Sequence, residues 1–128
     1  MIYIDSSVVL AQLLFEPRSP PARFWREVLA SSRLLEYEVW NRLHAYDPTG
    51  ANIGPARALL SGIELVELDR SILARALEPW PTPIRTLDSL HLATIDYLRR
   101  QSEPVELASY DNRLLEGARA LGISVAAL

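Results

Sequence analysis

The residues of this sequence best suited to chemistry are acids standing next to turns. Asp5 directly follows Ile2-Tyr3-Ile4 and precedes Ser6-Ser7 and the apolar run Val8-Val9-Leu10. Asp88 lies in the first turn of a helix that opens at Thr86, with His91 one turn further on. Asp111 follows Val105–Ala108 through Ser109 and Tyr110, so it repeats the order strand, acid, helix seen at Asp5. The helix after Ser32 adds Glu36 and Glu38. Carboxylates at the carboxyl ends of parallel strands face one crevice. Three or four of them together repel and cannot all ionise without compensation. The usual compensation is a hard divalent cation with oxygen ligands, which needs neither His nor Cys. Such a site suits phosphodiester hydrolysis, in which the metal activates water and stabilises the leaving oxygen. Arg85 and Arg113 stand near Asp88 and Asp111, and Arg42 follows Glu38 by one turn; each is a bidentate donor suited to phosphate.

Each acid also has a plainer reading. Asp5 and Asp111 sit where an N-cap is expected. Asp88 sits where the helix dipole favours a negative charge, at the border of the apolar arc, and a partly buried carboxylate needs a partner. His91 falls inside that arc and reads as a core histidine rather than a ligand. On the wheel of the helix after Ser32, Leu35, Val39, Leu43 and Tyr46 form one face. Glu36 lies near that face, and Glu38 shares its side with Leu34, Asn41 and Ala45. Periodicity leaves both glutamates open.

The elements that must position these residues alternate between strand and helix. Ile2–Ile4 reads as a strand and Ser6–Phe15 as a helix ended by Pro17, Pro20 and Pro21. Pro21 reads as the first-turn proline of a helix from about Ala22 to Ala30. Arg33 and Leu34 then read as a brief strand before a helix to Tyr46. The segment 47–55 is dense in turn residues and reads as a loop, followed by a short helix from Ala56 to Leu60. Ile63–Leu68 reads as a strand and Asp69 as the cap of a helix to Leu77. Pro79, Pro81 and Pro83 exclude regular structure. A helix over Thr86–Arg100, a strand over Val105–Ala108, a helix from Asp111 to Leu121 and a last strand over Ser124–Leu128 complete the chain. This alternation predicts a parallel sheet covered on both faces. The apolar arc of the Thr86 helix, formed by Leu87, Leu90, Ala93, Ile95, Tyr97 and Leu98, is broad enough to require packing on several sides.

Length and composition narrow the classes. A chain of 128 residues is expected to form one domain with a sizeable core. No apolar run is long enough to span a bilayer, and the first residues lack a basic leader, so the expected location is cytoplasmic. With no cysteine, disulfides, thiolate nucleophiles and cysteine zinc sites are excluded. All 13 basic residues are arginine, which excludes a Walker lysine and Schiff-base chemistry. The net charge of −3 argues against non-specific coating of nucleic acid, so any contact with it would use a local arginine patch.

Four stretches together resemble the PIN-domain ribonucleases, and within them the VapC toxins of bacterial toxin–antitoxin pairs. They are Ile2-Tyr-Ile-Asp-Ser-Ser-Val-Val9, Ser32-Arg-Leu-Leu-Glu-Tyr-Glu38, Thr86-Leu-Asp-Ser-Leu-His-Leu-Ala-Thr94 and Ser109-Tyr-Asp-Asn-Arg-Leu114. They stand in the family's order and spacing over nearly the whole chain, and the third is the most specific. The resemblance implies a single PIN domain over residues 1–128, a three-layer α/β/α sandwich around a central parallel sheet. It implies that Asp5, Glu38, Asp88 and Asp111 are the catalytic and metal-holding acids; the Ser-x-Leu-x-x-x-Glu spacing is what selects Glu38. Ser6 and Ser109 match positions that line the family's site. Also implied are Mg²⁺- or Mn²⁺-dependent cleavage of RNA and inhibition by a cognate VapB-like antitoxin.

Two other classes compete with the nuclease. A PIN-like module that binds RNA or protein without cutting would be free to lose acids, and none is missing here. A small phosphatase or receiver-like domain would want a phosphate-binding lysine, and the chain has none. Trp25, Trp40 and Trp80 are more tryptophan than a domain of this size need bury completely. They motivate the expectation of a homodimer and of an apolar antitoxin-binding surface.

Overall fold

The computed structural model describes residues 1–101 and 103–128. Its elements run β1 (Ile2–Ile4), α1 (Ser6–Leu13), a 3₁₀ turn (Ala22–Arg26), β2 (Leu29–Ser32), α2 (Leu34–Tyr46), α3 (Ile53–Ser61) and β3 (Ile63–Val66). Then follow α4 (Arg70–Ala76), α5 (Thr86–Arg100), β4 (Glu106–Ala108), α6 (Asn112–Ala120) and β5 (Ser124–Val125). All pairings are parallel, in the order β3-β2-β1-β4-β5. The chain winds from β1 through β2 to β3 on one side, then returns to place β4 on the other side of β1. The strand order therefore reverses between β1 and β4, and ligands of open α/β sheets bind at the carboxyl ends of strands at such a point.

The alternation of side chains along β1 divides the core in two. Ile4 joins a cluster with α1, α2 and α3 through Val8, Val9, Leu35, Val39 and Ala56. Tyr3 joins the opposite cluster with α5 and α6 through Leu92, Ile95, Leu114 and Ala118. These clusters make the three-layer α/β/α sandwich. α5 is buried over Ser89, His91–Ile95 and Leu98; of the expected apolar arc, Ala93, Ile95 and Leu98 are buried, Leu90 and Tyr97 part-buried, and Leu87 exposed, because the first turn stands at the cleft edge. Gly122, with φ +71°, reverses the chain after α6; it and Ile123 donate backbone bonds to Arg119 and Ala118, and glycine accepts this left-handed conformation without steric cost.

Two segments depart from the expectation. The residues read as a helix over Ala22–Ala30 form only the 3₁₀ turn, and Leu29–Ser32 is a fully buried strand. Its small residues have weak strand preference of their own. Pairing with β1 on one side and β3 on the other fixes them as extended. Arg33 and Leu34, read as a brief strand, are the entry to α2, where Ser32 Oγ accepts a bond from the Leu34 amide. Smaller shifts occur at element ends. α3 starts at Ile53, inside the expected loop, while β3 and β5 stop short of their expected ends. Tyr46, placed on the apolar face of α2, is exposed because the helix runs past the core there.

Candidate active site

Asp5, Glu38, Asp88 and Asp111 line one open cleft of about 350 Å³ at the carboxyl edge of the sheet, together with Ser6 and Arg42. They arrive from separate elements. Asp5 ends β1, Glu38 is on the second turn of α2, Asp88 is in the first turn of α5, and Asp111 precedes α6. Glu36 lies two residues from Glu38 and points elsewhere, pairing with Arg33 at 2.8 Å, while Arg33 also binds Glu67 at 2.6 Å. The choice that periodicity left open is thus resolved in space: Glu38 is the one in the cleft.

The geometry separates Asp5 from an ordinary helix cap. Asp5 stands at the N-cap position of α1 yet makes no capping bond. Its carboxylate instead accepts from the Ser7 hydroxyl at 2.6 Å and from the Ser109 hydroxyl at 2.9 Å. Those serines are themselves held, Ser7 Oγ accepting from the Tyr110 amide and Ser109 Oγ from the Asp111 amide. The arrangement ties the end of β1 to the end of β4 across the switch point. Asp111 is a cap with one oxygen, Oδ1 accepting from the Arg113 and Leu114 amides. Its Oδ2 faces Arg85 at 3.5 Å, and the same guanidinium lies 3.6 Å from Asp88 Oδ2. Glu38 Oε1 receives a 2.7 Å bond from His91 Nε2.

Burial sets the electrostatics. Asp5 is only 5% exposed, and loss of solvent is the main reason its pKa rises to about 6; Ser7, His91 and Ser109 oppose the rise and Glu38 adds to it. Asp88 is also pushed upward, first by burial and then by the charge of Asp111, with Arg85 and His91 opposing. Crowded like charges and poor solvation are therefore built into the site. Among the described residues no three acidic, imidazole or thiol groups stand close enough together to hold a metal ion between them. A hard cation such as Mg²⁺ takes oxygen donors and keeps several waters. The cleft offers oxygen donors in an open arrangement, so the residues present fit such an ion.

The resemblance places Ser6 and Ser109 at the site: Ser6 lines the cleft but makes no bond to Asp5, whereas Ser109 binds Asp5 without lining the cleft. Ser7 is the second serine that holds Asp5, and sequence reasoning misses it. Its signal was available, since a hydroxyl two residues after an acid at a helix start can fold back onto that acid. The bonding of His91 was also missed. It is a satisfied core histidine as expected, 2% exposed, but one of its partners is Glu38. Arg113 lies in the neighbouring groove with Arg85 rather than in the cleft.

A parallel α/β/α sandwich with carboxylates gathered at its switch point is the frame into which the comparisons with known proteins fall. Residues 2–120 match the PIN domain, and the chain belongs to the PIN-domain family, with the VapC proteins as its relatives. It is 32% identical over 133 residues to Ribonuclease VapC47 of Mycobacterium tuberculosis (strain CDC 1551 / Oshkosh), an alignment covering 98% of this chain and 96% of that protein. It is 33% identical over 129 residues to Ribonuclease VapC46 of Mycobacterium tuberculosis (strain ATCC 25618 / H37Rv), again covering 98% of this chain and 96% of the relative. Ribonuclease VapC35 of the same species is 31% identical over 133 residues, covering 99% of this chain and 96% of its own length.

Proposed function

We propose that this chain is a Mg²⁺- or Mn²⁺-dependent endoribonuclease and the toxin of a toxin–antitoxin pair. The observation that carries the reading is the meeting of Asp5, Glu38, Asp88 and Asp111, from four elements, in one cleft at the switch point of a PIN-domain sheet. Relatives named as ribonucleases, aligned over nearly the whole chain, supply the substrate class. Asp5, Glu38, Asp88 and Asp111 would hold the cation, which when bound supplies an activated water and stabilises the leaving oxygen of the phosphodiester. The protein's own contribution is positioning. Ser7 and Ser109 fix the Asp5 carboxylate, and the Asp111 cap fixes the entry to α6. Arg85 offsets charge between Asp88 and Asp111 while remaining 57% exposed, so its guanidinium can turn to a substrate phosphate. Arg42, on the cleft wall, is a second donor for the RNA backbone.

Purified protein is expected to cleave RNA with Mg²⁺ or Mn²⁺ and to stop when EDTA is added. Attack by water with the 3′ oxygen leaving predicts products with 5′-phosphate and 3′-hydroxyl ends, read by end-labelling. Full activity in EDTA, or cyclic-phosphate ends, would remove the mechanism. RNA retention without any cleavage would favour the non-cutting module.

The partners follow from the same reading: an RNA substrate, a cognate VapB-like antitoxin and a second copy of the chain. The tryptophans are all part-buried, and the exposed apolar side chains among the described residues include Phe15, Tyr37, Tyr46, Leu73, Leu77 and Leu87. These exposed side chains supply apolar surface for association. A short open reading frame just upstream and overlapping, whose product copurifies with the chain and blocks its nuclease activity, is the expected genetic context. No helix among the described residues is long and apolar enough to cross a membrane.

A further inference from the structure

α2 and α5 pack on opposite faces of the sheet, yet Glu38 and His91 meet at its carboxyl edge. His91 is 2% exposed and has a partner at each ring nitrogen. Nε2 lies 2.7 Å from Glu38 Oε1, and Nδ1 lies 2.7 Å from the Tyr3 hydroxyl. A carboxylate only accepts, so Nε2 carries the proton. In the neutral ring Nδ1 is then the acceptor, and Tyr3 Oη–H donates to it. Burial holds the Tyr3 phenol in its protonated form. That hydroxyl in turn accepts from the Ser32 amide at 3.1 Å. The two rings meet edge to face with centroids 5.7 Å apart. The result is a continuous line from the backbone of β2, through a side chain of β1 and one of α5, to a carboxylate on α2. Each member is oriented by the one before it.

We propose that His91 is a positioning residue. It transmits the rigidity of the sheet, through Tyr3, to the Glu38 carboxylate, and so sets the affinity of the cleft for its divalent cation and the turnover number rather than the affinity for RNA. The proposal rests on the nuclease reading above. Its physical basis is that Glu38 is a part-buried residue of α2 with three side-chain torsions to freeze, and the His91 bond engages Oε1 alone. A carboxylate fixed in this way is presented to a cation without ordering cost. The bond also joins the two helix layers at the point where the cleft opens.

Mn²⁺ binding to the metal-free protein, followed by electron paramagnetic resonance, tests this alongside kcat and KM on RNA. His91→Asn and His91→Leu remove the donor at the Nε2 position. Each is expected to weaken Mn²⁺ binding and lower kcat about 10–100-fold, the usual effect of removing a group that orients a metal ligand, with KM for RNA unchanged. His91→Gln places an amide N–H near the lost Nε2 and is expected to restore much of both. Tyr3→Phe keeps the ring packing and removes the Tyr3–His91 bond together with the bond accepted from the Ser32 amide, so it should shift both readouts in the same direction by less, in a protein that still folds. On a Glu38→Gln background His91→Asn should add no further loss, because the effect runs through Glu38. Wild-type Mn²⁺ affinity and kcat in folded His91→Asn and Tyr3→Phe, beside an inactive Glu38→Gln, overturn the proposal while leaving the nuclease reading intact. Equal losses on both backgrounds overturn it too. If Glu38→Gln itself binds Mn²⁺ and cuts RNA like wild type, Glu38 is not one of the metal-holding acids and the positioning role falls, while Asp5, Asp88 and Asp111 still carry the nuclease reading.

Discussion

Asp5→Asn is expected to make the metal-free protein more stable and to abolish RNA cleavage. Asp5 is almost wholly buried, and burial lifts its pKa to about 6 from an ordinary value of 3.8. At pH 7.5 the folded protein therefore carries a carboxylate that would ionise more easily if the chain were unfolded. A difference of that size corresponds to about 3 kcal/mol against folding. Asparagine keeps the shape, and its amide can donate to a serine hydroxyl that already accepts from a backbone amide. Relief of the whole penalty would raise Tm on the order of 10 °C in a chain of this length; imperfect bonding around the amide makes that an upper figure. Mg²⁺ should stabilise wild type more than the variant, because only wild type offers the full donor set.

The pH dependence gives the sign independently. Between about pH 4 and pH 6 the folded state holds the Asp5 proton that the unfolded state has released, so stability falls as pH rises through this window. Below it the carboxyl is protonated in both states and contributes nothing. The advantage of Asp5→Asn should thus be full at pH 7.5 and close as the pH approaches 4. Asp47 and Asp69 act in the opposite sense. Backbone amides of Asn52 and Ile72 hold their carboxyls below the usual range, so their contribution is present at neutral pH and is lost as acid protonates them. Both are unchanged in the variant and cancel in the difference. Thermal melts of the two proteins at pH 4, 6 and 7.5 in EDTA check the result. A lower Tm for Asp5→Asn at every pH would mean that Asp5 is a structural carboxylate.

Asp5, Asp88 and Asp111 were legible in the sequence because their placement is a local matter. A strand ended by an acid and followed by helix-capping residues can be read from ten residues, and the helical arc that half-buries Asp88 from fifteen. Parallel pairing then brings the ends of β1 and β4 together. Glu38 was not legible this way. Whether it or Glu36 enters the cleft depends on the roll of α2 against α1 and the sheet, and only the family spacing distinguished them. β2 is not legible in the sequence for a related reason. Leu29-Ala30-Ser31-Ser32 has little pattern of its own, and its strand is imposed by neighbours distant in sequence. The line from Ser32 through Tyr3 and His91 to Glu38 depends on that same strand. No local reading could assemble it, because its bonds join residues 29, 88 and 53 positions apart.

The second large effect separates the two glutamates of α2. Glu38→Gln and Glu36→Gln make the same chemical change two residues apart on one helix. Glu38 loses a charge that faces the cleft while its amide oxygen can still accept from His91, so the fold is undisturbed. Cleavage is expected to fall about a hundredfold or more, equivalent to ~3 kcal/mol of lost transition-state stabilisation, with Mn²⁺ binding weakened in parallel. Glu36 loses an ion pair with Arg33 in the first turn of α2, a contact shared with solvent and backed by the Arg33–Glu67 pair. Surface pairs of this kind contribute little, so Glu36→Gln is expected to cut RNA at the wild-type rate and melt close to it. Single-turnover cleavage of one RNA by the three proteins, at saturating Mn²⁺ and again at limiting Mn²⁺, reads both quantities. Parallel losses in the two variants would show that general negative charge on α2 matters, not a carboxylate in the cleft. An active Glu38→Gln with unaltered Mn²⁺ dependence would remove Glu38 from the metal-holding set and leave Asp5, Asp88 and Asp111 to carry the site.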